Sequence, residues 1–224
     1  MYLHSNRKLM GLWTLFLWMV QTEKKKELWF VVNGVPIRYS IRDHGLMCGL
    51  DCNPYPENYE NLGSTEFVTR YFGENVIPWP EHIKEQLDSM EEAKSKTKGS
   101  IDDFLVRVVD DIELCESFPW GRLTFDDSLH TIQTIQQKMK NRVKPNTMFP
   151  GFILPFEVFP FEAIGVLKST YREAIVRNDL CPKMCKGKLI ETNTKGFGLE
   201  EISDVLGNSN VSISTSLTSC SSFI

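Results

Sequence analysis

Apolar positions along the chain fall into short, separable patterns. Leu28 to Tyr39 (LWFVVNGVPIRY) sets two β-branched and aromatic runs on either side of Asn33-Gly34. A type I′ turn needs positive φ at both central residues, which Asn and Gly tolerate, so the segment predicts a β-hairpin. Ser40 followed by Asp43 is a capping-box-like start, because the hydroxyl can accept an orphan N–H of a first helical turn. A helix of about ten residues should follow and end near Gly49.

Ser100 and Asp103 repeat that cap before Ile101, Phe104, Leu105, Val108, Val109 and Ile112, which share one face at a period near 3.6. A further helix is expected from Asp126 to Val143, with Leu129, Ile132, Ile135, Met139 and Val143 inward and Pro145 as its stop. Phe149 to Leu167 is the most apolar stretch and predicts a buried helix kinked or broken at Pro155 and Pro160. Glu81 to Lys98 has only Ile83, Leu87 and Met90 at helical spacing, so it reads as a solvated helix with a thin apolar stripe, with Ser95 to Ser100 as a loop. Leu9 to Val20 (LMGLWTLFLWMV) reads as a buried or amphipathic helix.

The resulting expectation is an α+β fold, mainly α-helical, with one β-hairpin packed on a helical core in a single domain from 9 to 207. Residues 1–8 are expected to be a flexible N-terminus and 208–224 a disordered Ser/Thr-rich tail, since no apolar period continues beyond Val205.

Composition narrows the class without naming a function. With 42% hydrophobic and 24% charged residues, collagen, a coiled-coil rod and global disorder are excluded. The net charge of -4 gives no overall pull toward nucleic acid or membrane. Charge is uneven, however: residues 81–116 carry five basic and eleven acidic groups. The apolar run after Arg7 and Lys8 imitates a signal peptide, yet Gln21-Thr22-Glu23 offers no small-residue cleavage site. It is also shorter than the roughly 20 residues that span a bilayer. Six cysteines without a usable secretory signal fit an intracellular, reducing compartment, nucleus or cytoplasm, and free thiols. Cys220 stands fifth from the end, one place off a prenylation box.

Four thiols carry the strongest metal pattern. Cys48-Cys52 and Cys181-Cys185 are C-x3-C pairs, and four thiolates could bind zinc if the pairs met in space. The competing reading is buried structural cysteines, with His44 a polar helix-face residue. Basic groups cluster at Lys24-Lys25-Lys26 and at Lys138, Lys140, Arg142 and Lys144, and either cluster could contact phosphates. The second also suits a helix C-terminus for stability alone. Hairpin and capped helix, carrying Arg38 and Arg42, could in principle be set on DNA. Arg122 and Glu162 are embedded in apolar blocks (PWGRLTF and FPFEAIG). A charge there is costly unless paired, so one or both should be partly buried and hydrogen-bonded, most simply to each other. Asp102-Asp103 and Asp110-Asp111 are explained by caps and a solvated edge, and no phosphate-binding or dinucleotide loop is present in the sequence.

Several blocks are similar to one plant family, the domain of unknown function nineteen-eighty-five. They are Glu27 to Pro56 (ELWFVVNGVPIRYSIRDHGLMCGLDCNPYP), Val108 to Phe125 (VVDDIELCESFPWGRLTF), Gly151 to Leu167 (GFILPFEVFPFEAIGVL) and Cys181 to Ile202 with CPKMCKGK and KGFGLEEI. Such domains are often encoded by Mutator-like transposable elements and often precede a Ulp1-like cysteine protease domain. The resemblance therefore implies a transposon-derived plant protein, nuclear, acting in recognition and not as an enzyme. A protein partner is favoured, such as a Ulp1-like protease domain, with DNA second; no membrane, small-molecule substrate or cofactor beyond the zinc candidate is implied. The family's protease order is His, Asp, Gln, Cys; here His130, Asp179 and Cys181 or Cys185 follow it, but no Gln precedes the cysteine closely. A protease remnant is the alternative. The leucine-rich helix usual in the family is replaced by Glu81 to Lys98, so an apolar surface patch lined by Phe104, Leu105 or Val108 is expected.

Overall fold

The computed structural model describes residues 18–66, 69–70, 102–139, 151–175, 181–190 and 199–207. The expected N-terminal stretch up to residue 17, the charged helix and its loop, and the Ser/Thr-rich tail lie outside them. The chain divides into two compact units, Met1–Asn53 with Trp120–Ile224, and Pro54–Pro119.

In the first unit a hairpin forms where the pattern predicts it. Strands β2 (Leu28–Val32) and β3 (Val35–Tyr39) pair antiparallel from Leu28 opposite Tyr39 to Val32 opposite Val35. Asn33 and Gly34 turn the chain at φ of 49° and 78°, as a type I′ loop demands. Period-2 alternation buries Leu28, Phe30, Val32, Ile37 and Tyr39 on one face. A third strand, β1 (Met19–Val20), adds on the other side of β2 with Met19 opposite Phe30. These two residues were expected to end a helix; in extended form they share the backbone hydrogen-bonding ladder of β2.

Helix α1 (Ile41–Cys48) follows at once. Asp43 accepts the Ser40 backbone N–H at 2.8 Å and its hydroxyl at 2.6 Å, and Gly49 closes the helix with its N–H on Gly45 O at 2.7 Å. The long helix α4 (Trp120–Met139) begins six residues before the expected Asp126. Its first N–H groups are satisfied from far along the chain: Asp51 O accepts from Gly121 at 2.7 Å and from Arg122 at 3.2 Å. No local capping signal announces such a start, because the acceptor lies elsewhere in the sequence. Phe125, Leu129 and Ile132 form its buried stripe.

Helices α5 (Leu154–Ala163) and α6 (Gly165–Tyr171) divide the apolar stretch. Neither proline breaks it, contrary to expectation. Pro155 sits in the first turn, where a missing N–H costs nothing, and Pro160 lies inside α5. The break is Ile164, extended at φ -105° and ψ 110°. Pro155 to Ala163 are all buried, Glu157 and Glu162 included, so this helix is enclosed on every side and fills the centre. Tyr39 from the hairpin meets Phe156 at 4.5 Å and Phe159 at 4.7 Å between ring centres. Burying side chains of this size contributes about 1.5–3 kcal/mol each. A second antiparallel pair, β4 (Arg172–Ala174) with β5 (Gly187–Leu189), follows α6. Helix α7 (Leu199–Leu206) adds Ile202 and Leu206 to the same core.

The second unit is built on α2 (Asp103–Asp110) and α3 (Ile112–Ser117). The single helix expected from Ser100 is two, and its cap is Asp102, whose carboxylate accepts from Phe104 N at 3.0 Å. Asp111 leaves the helical region and caps α3 by accepting from Leu114 N at 3.0 Å, which ends α2. Phe104 packs against Tyr59 and Phe118, both at 5.5 Å between ring centres. The expected apolar patch is therefore corrected: Val108 is fully buried and Phe104 and Leu105 are half-buried, whereas Val109 and Ile112 are exposed. The fold is α+β, mainly α-helical, with a small sheet on a helical core.

Candidate functional site

Two buried polar sites stand out in the first unit. The capping box starts α1 directly after β3, which brings Tyr39 and His44 face to face. Tyr39 Oη lies 2.9 Å from His44 Nδ1, and His44 Nε2 lies 3.1 Å from Thr124 Oγ1 of α4. Thr124 donates its one hydroxyl proton to Trp120 O at 2.8 Å, so it accepts from Nε2. That assigns the neutral Nε2–H tautomer, with Nδ1 accepting from the tyrosine. Phe125, Phe152 and Phe156 surround the imidazole at 5.5–6.4 Å. Burial lowers the His44 pKa to about 4 and raises that of Tyr39 well above its ordinary value. At neutral pH the chain of three groups is uncharged and every ring nitrogen and hydroxyl in it is bonded.

Cys48 and Cys52 clasp the backbone of one residue, Leu50, beside it. Leu50 N donates to Cys48 Sγ and Cys52 Sγ donates to Leu50 O, both at 3.5 Å. Burial pushes the Cys48 thiol up and the Cys52 thiol up to about 12, so neither is a thiolate nucleophile at neutral pH. A Cβ added at Gly121 would lie 2.5 Å from Cys52 Sγ, so glycine is what lets α4 approach this loop.

Glu162, at the end of α5, forms the second site. Its carboxylate receives Lys168 Nζ at 2.8 Å and faces Arg172 Nε at 3.4 Å. The side chains of Glu162 and Arg172 are only 5% and 3% exposed. Arg172 Nη2 donates to Gly187 O at 2.5 Å and reaches Lys183 O and Met184 O at 3.5 Å, which ties the β4–β5 hairpin and its preceding turn to α5. Residues 16–101 match the family model described as Domain of unknown function (DUF1985). The β1–β3 sheet, the capping box, His44, Cys48 and Cys52 fall within the matched residues, whereas Thr124, Glu162 and Arg172 lie beyond them. An uncharacterised protein of Arabidopsis thaliana is 24% identical over 212 residues, 92% of this chain and 25% of its own length. The chain thus spans about a quarter of that relative. No solved structure matches.

The residues singled out from sequence are distributed as follows. Arg122 and Glu162 do not pair: Arg122 Nη2 donates to Cys52 O at 3.1 Å, because the first turn of α4 faces the 51–53 loop, while Glu162 faces α6 and β4. The two cysteine pairs do not assemble a zinc site. Helix α1 packs against the turn Lys183–Cys185, but Pro182 is what meets Gly49 and Cys52 is turned to Gly121. Among the described residues no three His, Cys, Asp or Glu side chains gather to hold a metal ion, and all five described cysteines are free. His130 is exposed on α4 and Asp179 is outside the described residues. The same is true of Lys140, Arg142, Lys144 and the side chain of Lys138.

Lys24, from the other basic cluster, bonds Glu27 at 3.1 Å and lies 5.6 Å above the Trp29 ring. It borders a cleft of about 470 Å³, walled by Val20 to Lys25, Leu28 and Trp29 and by Gln133, Gln136 and Gln137 of α4. Sequence reasoning missed Tyr39, Thr124 and Arg172. Tyr39 carried a signal, as the last inward position of a strand directly before a capped helix; Thr124 and Arg172 carried none. Among the described residues no helix is long and apolar enough to cross a membrane.

Proposed function

We propose that this chain is a non-catalytic interaction module of a transposon-derived plant protein, acting in the nucleus on a protein partner, with a Ulp1-like protease domain the favoured one. The observation that supports this reading is the employment of its reactive side chains. His44 is held neutral between Tyr39 and Thr124 and its pKa is lowered to about 4, below the range useful to a general base at neutral pH. Cys48 and Cys52 are held as thiols by burial. Glu162 and Arg172 bind one another and the backbone. His44, Glu162 and Arg172 connect elements of the core, the two thiols hold the backbone of Leu50, and neither His44 nor either thiol carries a charge at neutral pH.

The test is calorimetric titration of the chain with a purified Ulp1-like protease domain, beside random duplex DNA at two salt concentrations. Saturable protease binding with little salt dependence is the expected result. DNA binding that falls steeply with salt, without protease binding, would replace the reading by a DNA-binding accessory role. Peptide hydrolysis by the isolated chain, lost in Cys181→Ser or Cys185→Ser, would replace it by an enzyme.

A further inference from the structure

We propose that the face where α2 meets α3 is a docking surface for a basic segment of a protein partner that also carries apolar side chains. Val109, 60% exposed, and Ile112, 72% exposed, are the two most exposed large apolar side chains among the described residues. They stand three positions apart, on either side of the Asp111 cap. Leu105, one helical turn before Val109 on α2, is half-buried and extends the same apolar face.

Charge decides what covers this face. The second unit carries fifteen acidic against six basic residues, and ion pairs formed inside it leave that net charge unchanged. With the whole chain at -4, the first unit does not cancel it either. Glu113 and Glu116 are exposed beside Ile112, Glu116 one turn further along α3. Arg107, the one base on α2 and α3, is engaged by Asp103 and by the carbonyls of Glu60 and Leu62. The apolar pair therefore lies in a negative potential reaching about 8–10 Å at physiological salt, which attracts a cationic segment and repels nucleic acid. A bare metal ion is not the occupant, since among the described residues no three acidic, His or Cys side chains gather to hold one. A neutral apolar segment would gain only burial here, and a lysine-rich segment without apolar residues only a screened attraction. The face suits a partner that brings both. This inference does not rest on the protease reading, whose contact is expected to change little with salt.

Isothermal titration of the whole chain with two synthetic peptides of equal length and charge tests the surface, one built of Leu and Lys at helical spacing, the other with Ser in place of each Leu. Saturable binding of the Leu/Lys peptide is expected, weaker by about tenfold or more in the double variant Val109→Ser, Ile112→Ser. Glu113→Gln with Glu116→Gln should weaken it by about threefold, and added salt should weaken it in the parent chain. All four side chains are exposed, so both variants should keep the parent's denaturant midpoint. Failure of the Leu/Lys peptide to bind, equal binding of the Ser/Lys peptide, or undiminished binding by the Val109→Ser, Ile112→Ser variant overturns the proposal. Sedimentation of the chain alone tests the other occupant, a second copy, whose first unit carries nineteen basic against fourteen acidic residues. Self-association abolished by the same double variant would assign the face to that copy and overturn the proposal as well.

Discussion

Around His44, hydrogen bonds run between neutral partners: Tyr39 at 2.9 Å on one ring nitrogen and Thr124 at 3.1 Å on the other, inside a ring of phenylalanines. Around Glu162 the partners are charged, one carboxylate faces Lys168 and Arg172, and two guanidinium nitrogens make no hydrogen bond. Both sites join secondary elements that are distant in sequence, but their energetics differ. A satisfied neutral chain fixes geometry at little electrostatic cost, whereas a buried ion pair carries desolvation that its attraction only partly offsets. The neutral site has every polar atom bonded; the charged one leaves two guanidinium nitrogens of Arg172 without a hydrogen bond.

The largest effect that could break this contrast is expected at Glu162. Glu162→Ala leaves Arg172 buried without its counter-charge and should cost about 3–5 kcal/mol, read from the denaturant midpoint at unchanged slope. A loss under about 1 kcal/mol would place the pair outside the energetics of the core.

Next in size is a pH effect confined to the neutral site. The folded His44 pKa is near 4, below the unfolded value near 6.5, so the unfolded chain binds the extra proton between them. Stability from this group is complete above about pH 6.5 and falls by about 1.4 kcal/mol per pH unit on acidification toward 4. Comparison with His44→Gln isolates the group; parallel stability curves for the two proteins would refute the assignment.

Gly121→Ala sharpens the comparison from the packing side. The new methyl would lie 2.5 Å from Cys52 Sγ and 2.6 Å from Asp51 O, which forces α4 away from the loop that caps it. A cost of about 1–3 kcal/mol is expected, with the His44–Thr124 bond lengthened. Normal stability and an unshifted His44 resonance would show that the approach is not tight. The smallest effect is expected for Lys168→Met, since the ammonium is half exposed: at most about 1 kcal/mol in chemical denaturation. A larger loss would mean that Lys168, and not Arg172, neutralises Glu162.

What the sequence disclosed depended on how local each cause is. The hairpin, the Ser40–Asp43 box and the end at Gly49 are set by residues within a few positions of one another, and all were legible. The start of α4 at Trp120 was not, because its capping acceptor is Asp51 O. Similarly, Pro160 looked like a breaker, while the actual break at Ile164 comes from extended backbone between two helices that both bury apolar faces. At the sites the pattern repeats. The need of Glu162 for a partner could be inferred from its apolar surroundings, but the choice of Arg172 and Lys168 over Arg122 is a matter of tertiary direction. Cysteine spacing was equally silent on whether the pairs face each other.

The most direct measurement is a histidine-resolved NMR titration of the folded chain from pH 7.5 to 4.5. His44 should stay neutral as the Nε2–H tautomer, with its shifts flat above about pH 5. A midpoint for His44 near 6.5, or an Nδ1–H tautomer, would contradict a neutral relay built into the core and return His44 to the set of groups free to do chemistry.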